Sequence, residues 1–185
     1  MKIEIIAGSP REKSTTRRVA HFLCKQLEKH DDVEVNIIDM KDWNLPPVQQ
    51  VFSSPEAAPV DLLPLAQRVF EADAFILLTP EYNGSYSPAM KNLLDHFPKQ
   101  RHKAFGIATA SPGAYGGMRA AQQLLLLIPA LFGVASPYLL VIPAVEKKFD
   151  PDGNITDLSF ENTAHNFVTE FLWLARRMVK EPSLT

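Results

Sequence analysis

The sequence contains one cysteine and only 8 glycines among its 185 residues. The single Cys24 excludes an internal disulfide, and this cysteine usage fits a reducing compartment such as the cytoplasm. Positive and negative side chains are nearly balanced, at 19 lysines and arginines against 21 aspartates and glutamates. A protein held to nucleic acid by bulk charge would carry a basic excess. We therefore expect a cytoplasmic globular protein with no nucleic-acid partner.

The chain also lacks a continuous apolar segment that could cross a membrane as one helix. Residues 124–145 come closest, but Pro129, Gly133, Pro137 and Pro143 divide them, and a helix interior tolerates proline poorly. We interpret this stretch as a helix end, a turn and a buried strand, and we expect no membrane association. The total length is typical of one domain, so residues 1–185 are expected to form a single domain.

Short runs typical of strands alternate along the chain with longer segments of helical periodicity. The predicted strands are Lys2–Ala7, Val33–Asp39, Asp73–Thr79, Ala104–Ala110 and Tyr138–Ile142. The predicted helices are Thr15–Glu28, Asp61–Glu71, Ala89–Phe97, Met118–Ile128 and Phe160–Val179, with a proline-rich surface loop from Trp43 to Pro59. This alternation predicts an α/β fold with a doubly wound five-stranded parallel sheet and helices on both faces. Such sheets bind ligands where their strands end, here in the loops after Ala7, Thr79 and Ala110.

The loop after Ala7 is rich in hydroxyl and basic side chains. It contains Ser9, Arg11, Lys13, Ser14, Thr15, Thr16, Arg17 and Arg18. Capping would favour acidic residues in the first turn of the helix that follows, yet two arginines stand there. Free N–H groups at a helix N-terminus attract anions, so we interpret the loop as a phosphate site. The glycine patterns of Rossmann and P-loop sites are absent, which favours a monophosphate. An N-capped helix start with solvated arginines is the alternative.

The loop after Thr79 combines aromatic and amide side chains with a tight turn. It contains Pro80-Glu81-Tyr82-Asn83-Gly84, and Ser87 with Pro88 is expected to begin the next helix. Tyrosines at 82 and 86 flank the turn at the end of a buried strand. Aromatic and amide groups placed there favour a planar heterocyclic ligand, and a simple surface turn is the alternative.

With the third loop, Ser111-Pro112-Gly113-Ala114-Tyr115-Gly116-Gly117, these motifs resemble the NADPH-dependent FMN reductase family over nearly the whole chain. The resemblance implies a flavodoxin-like fold, FMN as cofactor, NADPH or NADH as co-substrate, and a homodimer or homotetramer. It implies that the FMN phosphate is held by Ser9, Arg11, Ser14, Thr15 and Thr16. It further implies that Pro80, Glu81, Tyr82 and Asn83 lie along the isoalloxazine ring, and that Ser111, Gly113, Gly116 and Gly117 approach its edge.

The activity that this resemblance implies is transfer of hydride from NADPH or NADH through FMN to a small-molecule acceptor. Quinones, azo compounds, metal oxyanions and free flavin belong to that acceptor class. No side chain is assigned as catalytic, because the flavin supplies the chemistry. A flavodoxin-type electron carrier is the alternative, although carriers rely on a strong surface field that a net charge of -2 does not provide. A phosphosugar or nucleotide binder is a third possibility.

Other motifs each fail a requirement. Residues 150–161 have the spacing of a calcium loop, but Ile155 stands where that loop needs glycine. The five histidines show no metal-ligand spacing, and Ser85 lacks the second glycine of a hydrolase elbow. We therefore predict no metal site, and we interpret Cys24 as a packing residue.

Overall fold

The computed structural model describes residues 1–179. A parallel β-sheet lies at the centre of the fold. The final six residues of the predicted 1–185 domain lie outside the described residues. The strands are β1 (Lys2–Ala7), β2 (Glu34–Asp39), β3 (Ala74–Thr79), β4 (Ala104–Ala110), β5 (Val134–Ala135) and β6 (Leu140–Ile142). Their order is β2-β1-β3-β4, with β5 and β6 both beside β4. This is the flavodoxin-type order, and it confirms the predicted doubly wound parallel sheet.

The fifth position of the sheet is divided between two short strands, where one strand at Tyr138–Ile142 was predicted. β5 pairs with the beginning of β4, and β6 pairs with its end. Between them the Ser136 N–H still donates to the Phe105 carbonyl oxygen at 2.7 Å. Pro137 follows, and its lack of an N–H prevents a continuous ladder. The chain therefore leaves the sheet and rejoins it three residues later.

Five α-helices cover the two faces of the sheet. They are α1 (Thr15–Leu27), α2 (Leu63–Glu71), α3 (Pro88–Asp95), α4 (Met118–Ala130) and α5 (Glu161–Met178). One core forms between the sheet and α1 with α5, and a second between the sheet and α2, α3 and α4. Alternate residues of β1 supply each core, so Ile5 packs on the first side and Ile6 on the second. The predicted layering is confirmed, since a parallel sheet must bury both faces.

The helix starts follow the predictions unevenly. Ser87 caps α3 as expected, because its hydroxyl oxygen accepts a hydrogen bond from the Met90 N–H at 3.1 Å. The second helix was predicted to begin at Asp61, but α2 begins at Leu63. Asp61 lies inside a 3-10 turn, Val60–Leu62, and α2 begins after it with Pro64 in the first turn. The buried side chain of Leu62 fixes this turn against the core.

The long apolar stretch folds into the predicted helix end, turn and strand. α4 extends two residues beyond its predicted end and contains Pro129 in its last turn. Within residues 1–179, no helix is both long and apolar enough to span a membrane. The loop between Trp43 and Pro59 is less superficial than predicted, because Phe52 is buried and its N–H donates to the His96 carbonyl oxygen at 2.8 Å.

Candidate functional site

Three loops meet at the carboxyl edge of the sheet, after β1, β3 and β4, and enclose a cavity of about 280 Å³. The lining residues are Ser9, Arg11, Lys13, Ser14, Thr15, Thr16, Pro80, Glu81, Tyr82, Ala110, Ser111, Pro112 and Glu146. The sequence motifs had indicated nine of these as site residues; Lys13, Ala110, Pro112 and Glu146 had not been singled out. Four predicted residues, Asn83, Gly113, Gly116 and Gly117, do not line the cavity.

The first loop presents the N-terminus of α1 to the cavity. No acidic residue occupies the first turn of this helix. Ser14 is the N-cap residue, yet its hydroxyl oxygen is buried and has no hydrogen-bond partner among the described residues. An N-cap hydroxyl ordinarily accepts a hydrogen bond from the first turn of its own helix. A buried hydroxyl left unpartnered beside free N–H groups is an arrangement that a bound anion would complete.

The two arginines in the first turn of α1 do not line the cavity. Arg17 Nε lies 3.4 Å from Asp39 Oδ2, and Arg18 Nη1 donates to the Phe149 carbonyl oxygen at 3.1 Å. Their presence is thus explained by contacts within the protein, which corrects the argument that they await a ligand phosphate. The basic side chains that reach the cavity are Arg11 and Lys13.

Tyr82 forms the wall that the second loop contributes. The guanidinium of Arg11 lies over the Tyr82 ring, 4.8 Å from its centroid, and this cation–π contact joins the first two loops. The Tyr82 hydroxyl is buried without a hydrogen-bond partner in the described chain. Asn83 and Gly84 have φ angles of 51° and 85°, which fit a tight turn between Tyr82 and Ser85. Asn83 therefore shapes the loop without lining the cavity.

Glu81 connects the second loop to the beginning of α4. One of its carboxylate oxygens accepts a hydrogen bond from the Arg119 N–H at 3.2 Å. The other oxygen lies 3.5 Å from Arg119 Nη1. A carboxylate at a helix N-terminus is favourable, because it meets the positive end of the helix dipole. The negative charge of this cavity residue is accordingly offset within the protein.

The paired glycines of the third loop are required by packing. Gly116 and Gly117 have φ angles of 61° and 91°, which favour glycine. A Cβ atom would lie 2.7 Å from the Pro143 nitrogen if added to Gly116, and 2.9 Å from Thr109 Cβ if added to Gly117. Gly113 has more room, and its N–H donates to Ser111 Oγ at 3.1 Å. An approach of this loop to a flavin stays a prediction.

The turn that resembles a calcium loop is organised around a lysine. Lys25 Nζ donates to the Asp152 carbonyl oxygen at 3.1 Å and to Asn154 Oδ1 at 2.9 Å. An ammonium group thus fills the position that a cation would take. In the part of the chain that the structure describes, no three His, Cys, Asp or Glu residues form a metal-binding group.

Burial and Glu28 raise the pKa of the Cys24 thiol to about 11, which makes it a poor nucleophile.

A doubly wound parallel sheet with this strand order defines a flavodoxin-like class of α/β protein. Comparison with known proteins agrees with this class and narrows it. The family described as NADPH-dependent FMN reductase matches residues 1–145, and the chain belongs to that family. The predicted family is thereby confirmed.

Individual relatives agree with this membership. The chain is 29% identical to the FMN-dependent NADPH-azoreductase of Staphylococcus aureus over 182 residues, which is 93% of this chain and 94% of that protein. Its fold is similar to FerB, a flavoenzyme NAD(P)H:(acceptor) oxidoreductase from Paracoccus denitrificans, with a TM-score of 0.80, 24% identity and coverage of 96% and 98%. A flavodoxin from Pseudomonas aeruginosa is similar at a TM-score of 0.59 and 18% identity, with coverage of 93% and 99%.

The predicted activity class and cofactors follow from the family. The chain is an NAD(P)H-dependent FMN oxidoreductase, with FMN as its cofactor and NAD(P)H as its electron source. A flavodoxin-type carrier without its own NAD(P)H oxidation is not favoured, because the matching family consists of reductases. The unpartnered Ser14 hydroxyl, the free end of α1 and the two basic side chains fit the phosphate of such a cofactor.

Proposed function

We propose that this chain holds FMN in the cavity at the carboxyl edge of its sheet and reduces small oxidised acceptors there. The observation that carries the proposal is the buried, unpartnered hydroxyl of Ser14 at the N-cap of α1. A phosphate monoester can accept hydrogen bonds from that hydroxyl and from the free N–H groups beside it. Arg11 and Lys13 add positive charge to the same cavity.

Each loop has a separate role in this proposal. The residues proposed to hold the phosphate are Ser9, Arg11, Ser14, Thr15 and Thr16. The residues proposed to lie along the flavin ring are Pro80, Glu81, Tyr82 and Asn83, with Ser111, Gly113, Gly116 and Gly117 at its edge. Bound FMN supplies the redox chemistry, since it accepts a hydride and passes electrons on. The protein binds the phosphate, orients the ring and leaves one side of the cavity open to both substrates.

The proposed acceptors are quinones, azo compounds, metal oxyanions and free flavin. The name of the Staphylococcus aureus relative supports azo compounds within this class. No protein acid, base or nucleophile is assigned, because hydride and electron transfer to and from a flavin needs none. Acceptors are therefore expected to be selected by fit and redox potential instead of by a covalent intermediate.

We also propose that the chain works as a homodimer or homotetramer. The outer face of α4 exposes Met118, Leu125 and Leu126, and Tyr115 is exposed in the loop before it. An apolar patch of this kind beside a cavity is typical of a protein contact surface.

The single cysteine supports a cytoplasmic location, and residues 1–185 are proposed to act as one FMN-binding domain.

Spectroscopy of the purified protein tests the proposal. Titration with FMN is expected to give bound flavin with quenched or shifted fluorescence. Anaerobic mixing with NADPH or NADH should then bleach the visible absorbance of the bound flavin, and a quinone or azo dye should restore it. Protein that does not bind added FMN would falsify the assignment. A protein that binds FMN but is reduced only when a partner reductase is added would be a carrier.

A further inference from the structure

Glu146 lines the cavity although it belongs to none of the three loops. It follows β6, in a 3-10 turn formed by Val145–Lys147. Its carboxylate makes neither an ion pair nor a hydrogen bond with any side chain of residues 1–179, whereas Glu81 is paired with Arg119. The cavity therefore contains one acidic side chain whose charge the described protein does not offset.

Backbone contacts hold the turn that carries Glu146 against the third loop and α1, and the Glu146 side chain itself is exposed at the cavity. Ala144 precedes the turn with a φ angle of 48°, an uncommon conformation for a residue with a Cβ atom. The Val145 N–H donates to the Ser111 carbonyl oxygen at 3.2 Å, which ties the turn to the third loop. Arg18 Nη1 donates to the Phe149 carbonyl oxygen at 3.1 Å, which ties the same segment to the start of α1. The turn that carries Glu146 is therefore bonded both to the loop assigned above to the ring edge and to the helix whose N-terminus is assigned to the phosphate.

A carboxylate is unfavourable next to a phosphate, because two negative charges repel each other. Its presence in this cavity therefore indicates a different contact. An ionised carboxylate only accepts hydrogen bonds, so it suits a hydroxyl donor. Between the phosphate and the ring of FMN lies the ribityl chain, which carries free hydroxyl groups.

We propose that Glu146 accepts a hydrogen bond from a ribityl hydroxyl and so selects a hydroxylated flavin side chain. This inference rests on the proposed function, since it needs FMN in the cavity. Glu146 would act as a specificity residue that reads the middle of the cofactor. The phosphate contacts of Ser14 and Arg11 and the ring contacts of Tyr82 would read the two ends.

A double-mutant cycle between protein and ligand isolates this contact. Wild type, Glu146→Ala and Glu146→Gln are each titrated with FMN and with an analogue whose five-carbon chain carries the phosphate but no hydroxyl. Relief of repulsion toward the phosphate changes the affinity for both ligands equally. Loss of the hydroxyl contact weakens only FMN, so Glu146→Ala is expected to lower the preference for FMN over the analogue about five- to tenfold. Binding is followed by flavin fluorescence, independently of turnover.

Three outcomes separate the possibilities. An unchanged preference in both variants would overturn the inference, as would tighter binding of both ligands by the same factor. A wild type that does not bind FMN at all would overturn the proposed function instead. Glu56→Gln is the matched control, because it removes one exposed carboxylate from a turn that does not line the cavity, and it should leave both affinities unchanged. Glu146→Gln keeps an acceptor oxygen and should lose less of the preference, and Glu146→Leu, which has no acceptor, covers the case in which the alanine variant does not fold.

Discussion

Replacing Ser14 with alanine should weaken the binding of FMN without lowering the free energy of unfolding of the FMN-free protein. Ser14 is the N-cap residue of α1, and its hydroxyl oxygen is buried without a partner among residues 1–179. Loss of an ordinary N-cap side chain destabilises a protein by about 1 kcal/mol, because a helix N–H loses its acceptor. Ser14 makes no such bond, so its removal carries no such penalty.

The magnitude follows from the state of the hydroxyl. A buried polar group without a hydrogen bond costs about 1–3 kcal/mol. We therefore expect Ser14→Ala to leave the free energy of unfolding unchanged or to raise it by about 1 kcal/mol, which for a chain of this size is about 2–4 °C in Tm. A hydrogen bond to a charged phosphate contributes about 1.5–3 kcal/mol, so FMN should bind roughly 10- to 100-fold more weakly.

Two measurements and one control test this prediction. Urea denaturation of the FMN-free protein gives the stability, and flavin fluorescence titration gives the affinity. Ser87→Ala is the control, because Ser87 caps α3 with a real hydrogen bond to the Met90 N–H and donates to the Gly8 carbonyl oxygen. That variant should lose about 1–3 kcal/mol of stability. If Ser14→Ala destabilises the FMN-free protein as much as Ser87→Ala does, or binds FMN like wild type, the reasoning is refuted.

Three further predictions concern charged residues. Arg11→Ala should weaken FMN binding about tenfold or more by fluorescence titration, and Arg11→Lys should restore part of it, since the cavity keeps its charge. Arg68 Nε donates to the buried Glu4 carboxylate at 3.0 Å. Arg68→Met leaves that carboxylate without its partner, so the free energy of unfolding, measured by urea denaturation at neutral pH, should fall by about 3–5 kcal/mol. Burial already raises the pKa of Glu4, so this loss should shrink toward pH 5, and an equal loss at both pH values would contradict the account. Burial lowers the pKa of Lys103 to about 8, below its unfolded value, so wild type should gain stability relative to Lys103→Met as pH rises from about 8 to 10.5. A difference that does not change over that range would count against the buried amine.

The central strands were predictable because their surroundings are uniform. β1 and β4 have their predicted bounds, and β3 differs by one residue. Strands buried on both faces appear in a sequence as nearly continuous apolar runs, which makes them easy to locate. The fifth position was harder, since it depends on how the chain passes Pro137 and finds both ends of β4.

The site was predictable to a similar degree. The topological rule locates three loops at one edge of the sheet, and the residues assigned to the site from the motifs in those loops include nine that line the cavity. Lys13 lies in the first-loop motif, but the sequence does not show that it faces the cavity while some neighbouring charged residues do not. Glu146 had no local signal at all, because its turn reaches the cavity through contacts of its neighbours, Val145 with Ser111 and Phe149 with Arg18.

By itself, the sequence determined the alternation of strands and helices, the edge of the sheet where the candidate site lies and the family, because these depend on local patterns and on motifs within single loops. The tertiary structure alone decided how individual charges are used. Arg18 donates to a carbonyl group 131 residues away in the sequence, and Arg17 on α1 lies beside Asp39 at the end of β2. Ser14 is left without a partner, and Glu146 is brought in from behind β6. The partners of these side chains come from segments that are distant in the sequence and meet only when the chain packs. The spacing of residues along the chain therefore does not reveal them.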